Sequence, residues 1–222
     1  MIYYCWFGNK PLTPLAEKCI DSWKKYMPNH EIKRWDESNF DVYCNDWCRN
    51  SYDTGHYAQV SDYARYWIVY NYGGIYLDTD VELLKSLDDL SDNFFGMEKG
   101  YNLVAPGLGF KADKNSELIK YIKEWYENNT FLSEYKHYLT APQVITTLLF
   151  GARLKDVSKN IQLGEFTLYA HDYLCPMHPG TNEITLTHIL SIIMLNHGYN
   201  KRRVLTDPPF LFIQINLPRD FQ

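Results

Sequence analysis

The chain has 222 residues, 45% apolar and 22% charged, the proportions of a soluble globular domain with a substantial core. Its formal charge of −5, from 22 Lys and Arg against 27 Asp and Glu, gives no basic field to attract nucleic acid or an anionic membrane. No run of about 20 apolar residues is present to span a bilayer, and no basic-plus-apolar leader opens the chain. The expected location is therefore cytoplasmic, with peripheral docking at the inner face of a membrane left open. Five cysteines (Cys5, Cys19, Cys44, Cys48 and Cys175) contain no CxxC pair and lack nearby soft ligands for zinc, so they read as reduced thiols.

Along the chain, Ile2 to Phe7 is an apolar and aromatic run ended by Gly8-Asn9, which predicts a buried first strand. Leu15 to Met27 carries Leu15, Cys19, Trp23 and Tyr26 at helical spacing, and Pro28 stops it. Glu31 to Trp35 alternates polar and apolar residues as a strand does, and Asp41 to Asn50 reads as a helix. The clearest helix is Tyr57 to Tyr72, with an apolar stripe of Val60, Ala64, Trp67 and Ile68 and a Gly73-Gly74 stop. Ile75 to Leu77, Val81 to Leu84, Phe94 to Met97, Gly107 to Phe110 and Gly164 to Ala170 read as strands. Ser116 to Tyr126 and Gln143 to Leu149 read as helices. Strands alternating with helices predict an α/β sheet sandwiched by helices, and the short strand-to-strand steps near the middle make it a mixed sheet.

The stretch that carries chemistry runs from Ser61 to Asp80. Asp62 and Arg65 are three apart on a helix and share a face off its apolar stripe. Gly73-Gly74 allows a tight reversal. Asp78 and Asp80, two apart after an apolar strand, are expected to project on the same side. Two adjacent carboxylates repel, and a hard divalent cation such as Mn²⁺ or Mg²⁺ would relieve that cost while neutralising a departing diphosphate. Ligand sites of this kind form at the carboxyl ends of strands in open α/β sheets. Trp23, Trp35, Trp67 and Trp125 read as packing residues.

These residues resemble the family 32 glycosyltransferases, the bacterial proteins described as a glycosyltransferase sugar-binding region containing a DXD motif. The matching stretches are Tyr3 to Gly8, Ser22-Trp23-Lys24 with Pro28, Ile32 to Asp36, and Ser61 to Asp80. The resemblance implies a GT-A-type fold and a metal-dependent, retaining transfer of a hexose. The donor would be a nucleoside-diphosphate sugar and the acceptor a glycan or lipid-linked sugar, in surface or capsular polysaccharide synthesis. It also implies roles: Trp6 stacks on the donor base, Asp62, Arg65 and Gly74 line the donor site, Asp78 meets ribose and the metal's water shell, and Asp80 ligates the metal.

Members of that family usually end in a His-His-x-x-x-Ser-Trp segment that closes the diphosphate pocket. Here residues 187–198 read Thr-His-Ile-Leu-Ser-Ile-Ile-Met-Leu-Asn-His-Gly. One permitted back-translation, read in the frame that starts at the third base of the Thr187 codon, contains Tyr-Ile-Ile-His-His-Tyr-Ala-Glu-Ser-Trp. The expectation is a GT-A-like domain over residues 1–186 and a divergent or out-of-frame, poorly ordered tail over 187–222. A catalytically impaired sugar-nucleotide or glycan-binding homologue is the alternative that this leaves open.

Overall fold

The computed structural model describes residues 1–98, 100–132 and 139–174, together with the backbone of Ile192–Met194. The expected tail therefore lies outside the described residues apart from that one short strand.

The molecule is built on a mixed sheet. Strand β1 (Ile2–Cys5) lies between β2 (Ile32–Trp35) and β3 (Gly74–Tyr76) and runs parallel to both. β3 pairs antiparallel with β7 (Phe110–Ala112), which pairs antiparallel with β5 (Phe94–Glu98). β5 runs parallel to β9 (Phe166–Tyr169), and β8 (Ile161–Leu163) closes that edge antiparallel to β9. The two-residue β6 (Leu103–Val104) pairs with the end of β5. β4 (Val81–Leu83) stands off this sheet and pairs antiparallel with β10 (Ile192–Met194).

Alternation along the strands feeds two cores. Tyr3 and Cys5 enter one, with α2 (Asp46–Asp53), α3 (Tyr57–Tyr72), α4 (Glu117–Glu127) and α5 (Ala141–Phe150). Ile2 and Tyr4 enter the other, with α1 (Pro14–Tyr26), β4 and α6 (His171–Leu174). Helices thus cover both faces, as the α/β reading expected. Trp23 and Trp35 are buried in these cores, and Trp67 and Trp125 pack half-buried against the first.

Local chemistry explains the boundaries. Thr13 caps α1 by accepting from the Ala16 amide at 3.2 Å, Pro14 opens the helix, and Lys24 and Lys25 sit in its last turn. The segment expected to be helical from Asp41 starts five residues later. Asp41 accepts from the Tyr43 amide at 2.9 Å to make a turn, and Asn45 caps α2 by accepting from Cys48 at 2.8 Å. The strand expected at Gly107 begins at Phe110, because Leu108 N–H bonds Ala105 C=O in a turn. β6, β8 and α6 are too short to show in the sequence pattern.

α1 fastens β4 in place. The Trp23 indole N–H donates to Val81 C=O at 2.7 Å, the Leu83 amide donates to Ser22 Oγ at 2.8 Å, and Lys18 pairs with Glu82 at 2.8 Å. The four described cysteines are free. No helix among the described residues is long and apolar enough to cross a membrane.

Gly74 sits at the amino end of β3 with φ +111°, and a Cβ there would lie 3.0 Å from both Met1 O and the Tyr3 ring. Gly74→Ala should therefore destabilise the protein by roughly 1–3 kcal/mol in urea unfolding, through a strained backbone and a crowded first strand.

Candidate functional site

The strand order reverses at β1. The chain crosses to β2 through α1 on one face and returns to β3 through α2 and α3 on the other. In an open α/β sheet the crevice at the carboxyl ends of such strands is where ligands bind. Trp6 follows β1 into that crevice, and Asp78 and Asp80 follow β3.

β3 ends at Tyr76, and Leu77 N–H still bonds Tyr3 C=O at 3.1 Å. The chain then turns: Val81 N–H bonds Asp78 C=O at 3.1 Å across Thr79 and Asp80. The two acids therefore follow the strand, as expected, but sit on a turn, where strand alternation no longer sets their sides. One side of the turn is set by the Asp78 amide donating to Gly107 C=O at 3.1 Å, and the other by α1 holding β4.

At the centre is Arg65, whose side chain is 5% exposed. Nη2 donates to Asp62 Oδ1 at 2.8 Å, and Nη1 and Nη2 lie 3.4 Å from the two oxygens of Asp78. Nε donates to Ser61 C=O at 3.0 Å, and the guanidinium lies 4.9 Å from the centroid of the Tyr76 ring. The Tyr76 hydroxyl donates to Asp78 Oδ1 at 3.0 Å. The sequence placed Asp62 and Arg65 on a face off the apolar stripe; the structure buries that face as well, because α3 is covered by the sheet, α2 and α4. Asp62 binds Arg65 through Oδ1.

Gly107 seats the Asp78 carboxylate. A Cβ on Gly107 would fall on Asp78 Oδ2 and 3.5 Å from Arg65 Nη1. Neither Gly107 nor Tyr76 was among the residues read from the sequence as a site. Tyr76 was available there, since strand alternation puts it on the side of Asp78. Gly107 was not, because 29 residues separate it from the carboxylate that it holds.

Charge is costly here. Burial pushes the Asp62 carboxyl up to about 6; Arg65 pulls it back and Asp78 adds to the rise. Burial also pushes Asp80 up to about 6, with the neighbouring Asp78 charge adding to it. The Arg65 guanidinium is held charged by Asp78, Tyr76 and Asp62 against its own burial. Asp80 is half-buried and has no ion pair among the described residues; a bond to its own backbone and the Arg65 charge offset only part of the cost.

Those oxygens fit a hard divalent ion. Asp80 offers a carboxylate with no ion pair among the described residues, whereas Asp78 is already tied to Arg65 and Tyr76. No cluster of three or more His, Cys, Asp or Glu side chains able to hold a metal occurs among the described residues. A site with one or two protein carboxylates is the kind in which a divalent ion is completed by substrate phosphates and water.

Trp6 stands half-buried at the end of β1, its indole N–H donating to Lys10 C=O at 2.8 Å. Gly74 is not part of the assembly. It lies at the opposite end of β3 from Asp78 and packs against Met1 and Tyr3.

A mixed sheet flanked by helices, with an acid-bearing turn at the carboxyl edge of β3, is a GT-A-type architecture. Residues 14–95 match the family model described as "Glycosyltransferase sugar-binding region containing DXD motif". The chain is 32% identical over 123 residues to inositol phosphoceramide mannosyltransferase 3 of Schizosaccharomyces pombe, a match spanning 46% of this chain and 33% of that relative. The chain thus aligns with about a third of the length of this curated relative. Its fold is similar to that of PaToxG Glycosyltransferase, with a TM-score of 0.54 and 19% identity over 68% of this chain and 67% of that one. A glycosyltransferase involved in the glycosylation of the major capsid of PBCV-1 also aligns, with a TM-score of 0.43 and 13% identity over 78% of this chain and 84% of that one.

Gly107→Ala should push the Asp78 carboxylate off Arg65. The expected loss is about 1–3 kcal/mol of unfolding free energy, read by urea denaturation, because the added methyl has only charged atoms to displace.

Proposed function

We propose that the chain is a glycosyltransferase that moves a hexose from a nucleoside-diphosphate sugar to a glycan or lipid-linked sugar acceptor, with retention. The observation that carries this reading is the half-buried, unpaired Asp80 beside the Arg65-clamped Asp78 at the carboxyl edge between β1 and β3. A protein of net charge −5 holding a diphosphate needs a cation between the two. Mn²⁺ or Mg²⁺, held by Asp80 with Asp78 behind it, would supply Lewis-acid neutralisation of the departing diphosphate.

The chain's own residues do the rest. Asp62 and Asp78 accept hydrogen bonds from donor hydroxyls, and Arg65 fixes their orientation so that no side chain has to reorganise when donor arrives. Tyr76 and Gly107 hold Asp78 in place. Burial of Asp80 sharpens its attraction for a cation. The name of the fungal relative pairs mannose with an inositol-bearing lipid, which supports a hexose donor and a lipid-borne acceptor. Retention and a place in surface polysaccharide assembly rest on the family resemblance.

The missing Ser-Trp segment favours a second reading, a homologue that binds donor with little turnover. We infer that the reading frame changes near residues 184–187. With the back-translation above, the two His codons of the neighbouring frame overlap the codons of Ser191, Ile192 and Ile193, and the backbone of Ile192–Met194 pairs with Val81–Leu83, next to Asp80. Sequencing the gene decides this: Ser-Trp triplets in the neighbouring frame support it, and their absence removes it.

A thermal-shift series with nucleotide sugars, with and without Mn²⁺, tests the main reading. A donor should stabilise the protein by about 2–3 kcal/mol at a hundredfold excess over its Kd, and only with the metal. Asp80→Asn separates function from stability. The folded carboxyl titrates near 6 against an ordinary 3.8, so the folded state holds the extra proton between those values, and stability is lost as pH rises through that window. At pH 7.5 the neutral amide should raise the stability of the metal-free protein, by on the order of 1 kcal/mol since the group keeps some solvent, and abolish metal-dependent donor binding. Donor binding that is indifferent to both metal and Asp80→Asn would overturn the proposal.

A further inference from the structure

Away from the crevice, two thiols meet where α2 begins. The chain turns after Asp41, with the Cys44 amide donating to the Asp41 carbonyl at 3.2 Å. Asn45 is extended, at φ −155° and ψ 171°, and its side chain accepts from the Cys48 amide at 2.8 Å. This cap folds the chain back on the first turn of the helix. Cys44, just before the helix, and Cys48, inside its first turn, are thereby brought together, and their thiols bond each other. The two sulfurs face different surroundings. Cys44 is exposed, whereas Cys48 lies wholly inside the core formed by α2, α3, α4 and α5.

The pair is polarised. The bond from Cys48 draws the Cys44 thiol below its ordinary range; its own amide and the Tyr63 hydroxyl add to this, against burial and the Asp41 charge. The same bond raises Cys48, and burial raises it further. Cys5 and Cys19 differ: burial pushes them up to about 12 and about 11. Among the described cysteines, Cys44 alone combines exposure with a stabilised thiolate.

We propose that Cys44 and Cys48 are a redox-active dithiol, a site that a low-molecular-weight disulfide such as glutathione disulfide oxidises to an intramolecular disulfide. The Cys44 thiolate attacks one sulfur of the reagent, which forms a mixed disulfide and releases one thiolate; that thiolate takes up the proton that Cys44 gave up. The Cys48 sulfur then attacks the Cys44 sulfur. The Cys48 proton passes to the second departing thiolate, and the Cys44–Cys48 bond closes. Two protein thiols are oxidised, and one reagent disulfide is reduced to two thiols. The surroundings suit this order, since Cys48 attacks from the core side and the leaving group departs toward solvent. Once Cys44 is in the mixed disulfide it carries no charge, so the largest cause of the rise at Cys48 is removed. The inference is independent of the glycosyltransferase reading.

The test incubates the whole folded chain with glutathione disulfide, blocks the remaining thiols and maps them by mass spectrometry. The parent should lose the Cys44 and Cys48 thiols together, in one internally bridged peptide that carries no glutathione, and dithiothreitol should restore both. Cys44 should be consumed roughly tenfold or more faster than Cys5 or Cys19. Cys48→Ala should stop at a glutathione adduct on Cys44, and Cys44→Ser should leave Cys48 reduced. If Cys48→Ala does not fold, the map of the parent decides alone. Glutathione retained on Cys44 in the parent, a bond from Cys44 to Cys175 or to a second chain, or a Cys44 that reacts no faster than Cys5 and Cys19 overturns the proposal.

Discussion

One buried guanidinium organises the site. Arg65 cannot lose its charge at any ordinary pH, and it lies in a place that water barely reaches. Leaving it there unpaired would cost several kcal/mol, so Asp62 and Asp78 are required as partners. The arrangement in turn fixes where both carboxylates face. Tyr76 lies beneath the cation and bonds Asp78, and Gly107, lacking a side chain, makes room for that same carboxylate. An ion triad of this kind is weak evidence for stability, since an apolar replacement of equal shape often does as well. Its presence in a crevice is better explained by what it orients.

The sheet delivers these groups to one place. Because β1 sends its crossover to one side and β3 arrives from the other, the ends of both strands are left open toward the same crevice. Asp78 is reached along β3, Asp62 and Arg65 along α3, and Trp6 along β1. The glycosyltransferase reading draws on this convergence, which sets the Asp78–Asp80 pair in its place, and on the similarity of residues 14–95 to the DXD family. A bare Asp-x-Asp carries little, whereas the same pair beside a buried Arg and at a strand reversal carries much more.

Much of the frame was legible because short-range rules governed it. α3 runs over the residues that its apolar stripe and double glycine indicated, and α1 differs by one residue at each end. Asp62, Arg65 and Asp78 were read as site residues, and their side chains meet. The failures share a cause. The start of α2 was set by Asp41 and Asn45 side chains competing for backbone amides, an outcome that apolar spacing does not report. The Asp62–Arg65 face was read only as lying off the apolar stripe, because burial of a polar pair depends on what packs over it. The resemblance put Gly74 at the donor site, whereas its packing against Met1 and Tyr3 exists only in three dimensions. Gly107 gains its significance from a partner 29 residues away.

The acid-bearing turn has two separate moorings. Asp78 belongs to the layer of α3 and the sheet, through Arg65, Tyr76 and Gly107. Asp80 leads straight into β4, which is bolted to α1 through Trp23 and Ser22 on the opposite face. The gap between the two carboxylates therefore works as a calliper whose jaws are the two hydrophobic layers. Repacking around Trp23 or Met27 would move β4, and Asp80 with it, relative to Asp78.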